Sequence, residues 1–257
     1  MICSALLLAC ERRTTKVDSV VQVEELPIVI LNEENFPDFN FRSAICRLLP
    51  IAEGDTIPNK MLMQVEELRL SELGISSLKG VEFFTSLRQL DCSHNQLKEI
   101  DVTKNVALTT LECRYNQLSA IDVTHNSHLR SLGCSHNQLK NIDVSKNPQL
   151  MYLICNDNKI EKIDVSKNPQ LCELGVVNCE LKVLNVSNNL DLRELYCTGN
   201  HLRELDLRSN EKMENLYCEQ PLWHSIKILR PANNPDLGKG NEHTWSDGIT
   251  FIWLKNK

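Results

Sequence analysis

The chain has 257 residues, a net charge of −6, 42% hydrophobic residues and 24% charged residues. The negative net charge argues against a nucleic-acid partner or an anionic membrane surface, since both attract clustered positive charge. No stretch of the sequence approaches the roughly 20 consecutive apolar residues that a membrane-spanning helix needs.

The first ten residues, MICSALLLAC, form a short apolar segment. Its last four letters, ending at Cys10, resemble a lipobox, the motif in which bacterial lipoproteins carry a lipid-modified cysteine. No lysine or arginine precedes the apolar run, which departs from the usual signal pattern. The resemblance implies a signal remnant over residues 1–10, lipidation of Cys10 and a tether over residues 11–31. Contact with a membrane would then be through this anchor alone, and a buried or disordered apolar start is the alternative.

Residues 32–64 are predicted to cover the apolar end of the segment that follows them. Within this range Asp38 suits the N-cap of a helix over residues 36–49. Apolar residues of that helix stand at helical spacing, at Phe41, Ile45, Leu48 and Leu49. The next segment, EGDTIPNK, lacks the regularly spaced acidic ligands of a calcium loop, so we expect no calcium there.

From residue 65 to residue 228 the sequence repeats itself with a period of 21 residues. The cysteine column is Cys92, Cys113, Cys134, Cys155, Cys197 and Cys218, with Val176 at the one rung without a cysteine. Columns of leucine, asparagine, isoleucine and valine keep the same period, so seven units fit the template LxxLxCxxNxLxxIDVxxNxx. An eighth, degenerate unit precedes them with a 22-residue step. A fixed period of this length predicts a stacked solenoid.

The template also predicts the shape of each unit. The alternation in LxxLxC indicates one short strand whose leucine and cysteine point inward, and stacking joins these strands into a parallel sheet with a spacing of about 4.8 Å. The asparagine that follows can bond the buried backbone of the bend. The IDV segment predicts a short extended return rather than a helix. The return of the degenerate unit carries Phe83 and Phe84 and is expected to be bulkier and partly helical.

The lines SLRQLDCSHNQLKEIDVTKN and SLGCSHNQLKNIDVSKNPQ resemble bacterial leucine-rich-repeat proteins of the internalin-like and short "IRREKO" kinds. The segment ISSLKGVEFFTSL resembles the usual entry into such arrays, and NEENFPDFNFR resembles the segment that often precedes them. The resemblance covers roughly residues 32 to 230 and implies a leucine-rich-repeat solenoid, mostly β, with a small helical N-terminal cap. Such a fold specifies little about function, because sites are built on its variable positions.

Residues 229–257 are expected to form the C-terminal cap, with Trp245 and Trp253 among its apolar residues. The alternation in ITFIW predicts a final strand. The roughly 28 residues of this segment are too few for an independent catalytic domain.

The repeat favours a structural role for most of the cysteines. Each one takes the inward strand position that Leu70 takes in the degenerate unit, so we expect reduced thiols in the core. A linear stack offers no tetrahedral ligand set, so no zinc site is expected. His94 and His136 share a column with Tyr115 between them, too far apart to bind one metal ion. No catalytic constellation stands out, and neither an enzyme nor a cofactor is predicted.

The outward positions of the strands carry the functional hypothesis. They are small and polar near the N-terminus and become apolar and aromatic further along, while Gly175 is expected to leave a shallow spot between Ile154 and Tyr196. The predicted ligand-binding residues are Tyr152, Ile154, Asn156, Val177, Glu194, Tyr196 and Tyr217. Exposed tyrosines on a sheet are typical of binding surfaces. Stacking of Tyr196 on Tyr217 merely to stabilise the sheet is the alternative.

The sequence therefore predicts a monomeric, non-enzymatic binding module. It would sit at the bacterial surface or face the periplasm, anchored through Cys10, and recognise a protein or a glycan through its strands. The alternative is a structural component of the cell envelope with no dedicated ligand site.

Overall fold

The computed structural model describes residues 28–218, 226–229, 242–244 and 250–252. These residues form a leucine-rich-repeat solenoid whose main sheet, in the described part of the chain, has eight parallel strands. The strands are β3 (Glu67–Arg69), β4 (Gln89–Asp91), β5 (Thr110–Glu112), β6 (Ser131–Gly133), β7 (Tyr152–Ile154), β8 (Glu173–Gly175), β9 (Glu194–Tyr196) and β11 (Asn215–Tyr217). This confirms the predicted architecture.

The register of the sheet follows the sequence period. Leu90, Leu111 and Leu132 pair directly across β4, β5 and β6, and the same position pairs at every later rung. Because the side chains of a strand alternate between its two faces, this register stacks the inward leucines into one core. The leucines are buried at every rung, and Cys92, Cys113 and Cys134 are fully buried, whereas Cys218 at the last rung of the column is half-buried.

The N-terminal cap precedes the sheet. The strands β1 (Val29–Ile30) and β2 (Thr56–Ile57) pair in antiparallel fashion, and they flank the helix α1 (Phe39–Leu48), while a one-turn helix α2 (Asn59–Leu62) leads into β3. As predicted, Asp38 caps α1, its carboxylate accepting the amide of Phe41.

Two details of the cap differ from or extend the sequence analysis. Leu48, expected on the apolar face of α1, is 49% exposed, whereas Leu49, the C-cap residue that follows it, is 5% exposed and packs in the core in its place. Arg42 is buried and donates to the carboxylates of Glu33 and Glu53. The Glu53 carboxylate of the EGDTIPNK segment is thus engaged within the cap, and Asp55 accepts the amide of Ala52.

The return segments are extended, as predicted. A parallel bridge joins Asp101 to Asp122, and β10 (Glu204–Asp206) pairs with β12 (Lys227–Leu229) in parallel. The degenerate unit instead returns through a 3-10 helix at Val81–Phe83, and Phe84 packs in the core. Beyond them β13 (Glu242–Thr244) pairs with β14 (Thr250–Ile252), which confirms the strand expected in ITFIW. The predicted contributions of Trp245 and Trp253 lie outside the described residues.

Two columns of asparagine hold successive turns together. In the first, the Nδ2 of Asn137 donates to the carbonyls of Cys113 and Cys134, and its Oδ1 accepts the amide of Leu118. In the second, the Nδ2 of Asn147 donates to the carbonyls of Val123 and Asn126. The second column is Asn105, Asn126, Asn147, Asn168, Asn189 and Asn210, all fully buried. Each asparagine thus ties one turn to the turn before it.

The longest helix among the described residues is α1, with ten residues. Within the described ranges, no helix is long and apolar enough to cross a membrane.

Candidate functional site

The outward side chains of the main sheet form a continuous surface, which we call the strand face. The outward residue before each inward leucine forms one column, and the outward residue after it forms a second. In the N-terminal half these columns carry Gln89, Thr110 and Ser131 beside Asp91, Glu112 and Gly133. In the C-terminal half they carry Tyr152, Glu173, Glu194 and Asn215 beside Ile154, Gly175, Tyr196 and Tyr217. The change from small polar residues to tyrosines is therefore a feature of one surface.

The structure brings the seven predicted binding residues onto the C-terminal half of the strand face. We call them the tyrosine patch: Tyr152, Ile154, Asn156, Val177, Glu194, Tyr196 and Tyr217. Tyr152 is 43% exposed, and the other six are half-buried. Large apolar groups that stay accessible on a sheet in water are an informative exception to the usual burial of such residues.

Tyr196 and Tyr217 stack against each other. Their ring centroids are 4.7 Å apart with an interplanar angle of 11°, so the pairing considered in the sequence analysis does form. The Tyr196 hydroxyl donates to the Glu194 carboxylate at 2.5 Å. Burial, and then this bond to an anion, raise the pKa of the Tyr196 hydroxyl above its ordinary value. Tyr196 is therefore a neutral hydrogen-bond donor at physiological pH, with its ring and hydroxyl held in place.

Two carboxylates lie side by side in this half of the face. Glu173 and Glu194 are direct register partners on β8 and β9. Burial, and secondly the negative charge of Glu194, raise the pKa of the Glu173 carboxyl. Like charges directly opposite each other on a sheet are destabilising. The patch and the adjoining Glu173 therefore combine aromatic rings with two neighbouring carboxylates.

Gly175 does leave a gap in the second column, but the gap is narrower than the sequence suggested. A β-carbon placed on Gly175 would lie 3.2 Å from two carbon atoms of Ile154 and 3.0 Å from the Asn156 Oδ1. Ile154 thus leans over the glycine from the N-terminal side, and Asn156 is held there because it accepts the amide of Val177 at 2.8 Å. Ile154 and Asn156, which border the predicted shallow spot, therefore occupy part of it.

In the N-terminal half of the strand face, by contrast, polar side chains lie against their own neighbours on the sheet. The Glu112 carboxylate folds over Gly133, where an added β-carbon would lie 2.0 Å from Oε2. Burial raises the pKa of Glu112, with the positive charge of Arg114 opposing the shift. Asp91 accepts both the amide and the hydroxyl of Ser93. The Asp91 carboxylate is thus bonded within the chain, and this half of the face presents little apolar surface to a ligand.

A third feature lies at the edge of the strand face, where each strand bends away. The rings of His94, Tyr115 and His136 stack with centroids 4.2 and 4.1 Å apart. All three residues have φ near 54°, in the left-handed region. The column continues into Asp157, whose carboxylate lies 3.4 Å from the His136 Nε2 and accepts Asn178 Nδ2 at 2.8 Å. The sequence placed the two histidines on one column, but the stack depends on side-chain torsions that the period does not specify.

Neither a cofactor nor a metal is assigned to this surface. Among the described residues, no group of three or more histidine, cysteine, aspartate or glutamate side chains is arranged to hold a metal ion. Burial raises the pKa of the Cys113 thiol far above its ordinary value. Cys92, Cys113 and Cys155 are therefore protonated thiols of the core.

Comparison with known proteins places this geometry among leucine-rich-repeat proteins of bacteria. No model of a known protein family matches the chain. It is 36% identical to internalin J of Listeria monocytogenes over 70 residues, which are 27% of this chain and 8% of internalin J. A solved functional domain of InlJ, described as including a cysteine ladder, matches with a TM-score of 0.71 and 32% identity, covering 78% of this chain and 46% of that one. The chain thus spans less than half the length of internalin J and of the solved InlJ chain.

An internalin C2 of Listeria monocytogenes shares the fold at lower similarity. Its structure matches with a TM-score of 0.57 and 15% identity, covering 77% of this chain and all of that one. Together these likenesses establish the leucine-rich-repeat fold, and they show that the repeat array resembles that of internalins. The cysteine column found here has a counterpart, by description, in the InlJ domain.

Proposed function

We propose that the chain is a non-enzymatic binding protein that holds a protein partner on the tyrosine patch. The observation that carries this proposal is the change of character along one sheet surface. Short polar groups, such as Ser93 bonded to Asp91 and the Glu112 carboxylate over Gly133, give way to Tyr152, which is 43% exposed, and to the stacked Tyr196 and Tyr217. Tyrosine gives a large, rigid contact area with a polar tip, which suits recognition.

The likeness to internalin repeats supports a protein as the partner, and a glycan is the less favoured ligand. The same likeness supports a location at the bacterial surface. Lipid attachment at Cys10, and a monomeric state, are further parts of the proposal. Cys10 lies outside the described residues, so it rests on the lipobox resemblance alone.

The experiment is a capture assay in which one surface is changed at a time. The triple variant Tyr152→Ala, Tyr196→Ala, Tyr217→Ala is compared with a matched triple variant elsewhere, Val106→Ala, Val183→Ala, Leu190→Ala. The control residues are apolar and are 52%, 73% and 58% exposed. We expect a protein from envelope or host-cell extract to be retained by the original chain and the control, and lost with the tyrosine variant. Circular dichroism checks that both variants fold.

A structural spacer with no ligand site is the second candidate. It is favoured by the 4.7 Å stack of Tyr196 on Tyr217, which stabilises the sheet whether or not a ligand binds. A spacer predicts that the tyrosine variant loses stability but captures the same proteins as the control. Equal capture by both triple variants would therefore reject the binding proposal.

A further inference from the structure

Two adjacent carboxylates, Glu194 of the tyrosine patch and its register partner Glu173, form no ion pair within the described part of the chain. The register partners of Glu173 and Glu194 in their own column are Tyr152 and Asn215. Arg193, next to Glu194 in sequence, donates to Glu214 at 2.7 Å and is engaged there. The two carboxylates therefore repel each other, and no ion pair among the described residues offsets that repulsion.

One side of the Tyr196 ring faces the strand that carries Gly175, since Gly175 and Tyr217 are the register partners of Tyr196 on the two neighbouring strands. Tyr217 covers the opposite face by stacking, while the register partner on β8 is Gly175, which has no side chain to cover the ring. Ile154, one rung further, closes the gap from the far side. We call the space over Gly175 the slot. The Tyr196 ring borders it on one side and the Ile154 side chain on the other, and the Glu194 carboxylate lies beside the ring.

The narrow space of the slot and the carboxylates beside it favour a flat, positively charged group. Ile154 and Tyr196 are two rungs apart, which is about 9.6 Å between backbones. Ile154 leans into this distance from one side, so a group that lies on the Tyr196 ring there has to be thin. A guanidinium group is planar, stacks on an aromatic face and donates a pair of hydrogen bonds to carboxylate oxygens. The Glu194 carboxylate accepts one bond from Tyr196 and keeps further lone pairs for another donor.

We propose that the tyrosine patch docks a basic segment of its protein partner, with an arginine side chain against the Tyr196 ring and beside the Glu173 and Glu194 carboxylates. This inference rests on the proposed function and names the chemistry of the partner. Charge complementarity is the argument for it, because a cation at this point relieves the repulsion between two registered glutamates. The net charge of −6 favours approach of the same kind of partner.

The test uses a defined probe and the full chain. A fluorescein-labelled peptide with repeated arginine, leucine and serine is titrated by fluorescence anisotropy at about 0.15 M salt. The same peptide with citrulline in place of arginine keeps the shape and removes the charge. A neutral hexasaccharide serves as the probe for a glycan. We expect the arginine peptide to bind about tenfold more tightly than the citrulline peptide.

Matched variants locate the effect on the protein. The double variant Glu173→Gln, Glu194→Gln should weaken binding of the arginine peptide about tenfold. The control Glu99→Gln, Glu161→Gln removes the same charge from exposed positions outside the strand face, and should change binding by less than about twofold. Tyr196→Phe keeps the ring and should retain binding, whereas Tyr196→Leu should lose it.

Three results would overturn the inference: equal binding of the arginine and citrulline peptides, equal effects of the two double variants, or binding of the hexasaccharide alone. These failures are distinct from failure of the proposed function. A captured protein that needs the three tyrosines but tolerates Glu173→Gln, Glu194→Gln would sustain the binding role and reject the basic segment.

Discussion

At the scale of single residues, the buried asparagines matter most for the fold. Asn137 bonds the carbonyls of Cys113 and Cys134 and the amide of Leu118 at the bend, and it also donates to the Ser135 carbonyl, which accepts the Tyr115 amide as well. Unpaired buried groups of this kind cost free energy, so one side chain fixes the path of two turns. The sequence predicted this role because an amide recurs at the point where each strand ends.

We expect Asn137→Ala to lower the free energy of unfolding by about 3 kcal/mol, since it leaves several buried backbone groups without partners. Urea unfolding followed by circular dichroism measures the change. The control is Asn188→Ala, whose side chain is exposed and makes one long bond to the Ser166 carbonyl at 3.4 Å. Similar losses in the two variants would show that the buried amide has no special role.

At the scale of the element, most return segments of the 21-residue units begin with an aspartate that closes a tight turn, and Asn185 takes this position in one unit. Asp101 and Asp122 accept the hydroxyls, and then the amides, of Thr103 and Thr124. These bonds lower the pKa of both carboxyls, the hydroxyl bond being the larger cause. Because the folded pKa lies below the unfolded one, the contribution to stability is complete above about pH 4 and is lost as the pH falls through the folded pKa.

We therefore expect the double variant Thr103→Ala, Thr124→Ala to melt at a lower temperature than the original chain at pH 7. The difference between the two proteins should narrow as the pH is lowered toward about 2, because protonated aspartates accept these bonds less strongly. Glu112 and Glu173, whose pKa values are raised, are present in both proteins and cancel in the comparison. A difference that stays constant across this range of pH would contradict the assignment.

The same scale shows what the sequence could and could not predict. The 21-residue period was sufficient for the strands, their parallel register and the inward columns, since a register slip of one residue would expose every leucine. It placed the seven patch residues on one face for the same reason. It could not place the side chains of Ile154 and Glu112, which lean over Gly175 and Gly133. Those positions depend on torsions and on the room left by a neighbour's missing side chain.

At the scale of the whole molecule, each turn contacts mainly the turns before and after it, so stability is approximately a sum of units and their interfaces. Deletion of residues 128–148 removes one full period and joins the flanking turns in register. We expect the shortened chain to fold with the same circular dichroism spectrum per residue and a lower free energy of unfolding. Deletion of residues 128–138, half a period, should leave the chain unable to stack.

The pair of deletions tests the period rather than the loss of residues. If the half-period deletion folded as well as the full-period one, register between turns would not control the fold. If the full-period deletion failed to fold, the array would be a single cooperative core rather than a stack of repeating units.

The central claim is that the tyrosine patch is the binding surface. The tyrosines of the chain can report on it directly, because their oxidation can be measured one residue at a time. The chain contains four tyrosines, of which Tyr152, Tyr196 and Tyr217 lie in the patch and Tyr115 lies at the edge of the strand face. Hydroxyl-radical footprinting measures the oxidation of each tyrosine with and without the captured protein. We predict protection of Tyr152, Tyr196 and Tyr217 with little change at Tyr115. Unchanged oxidation of the three patch tyrosines in the presence of a bound partner would contradict the claim.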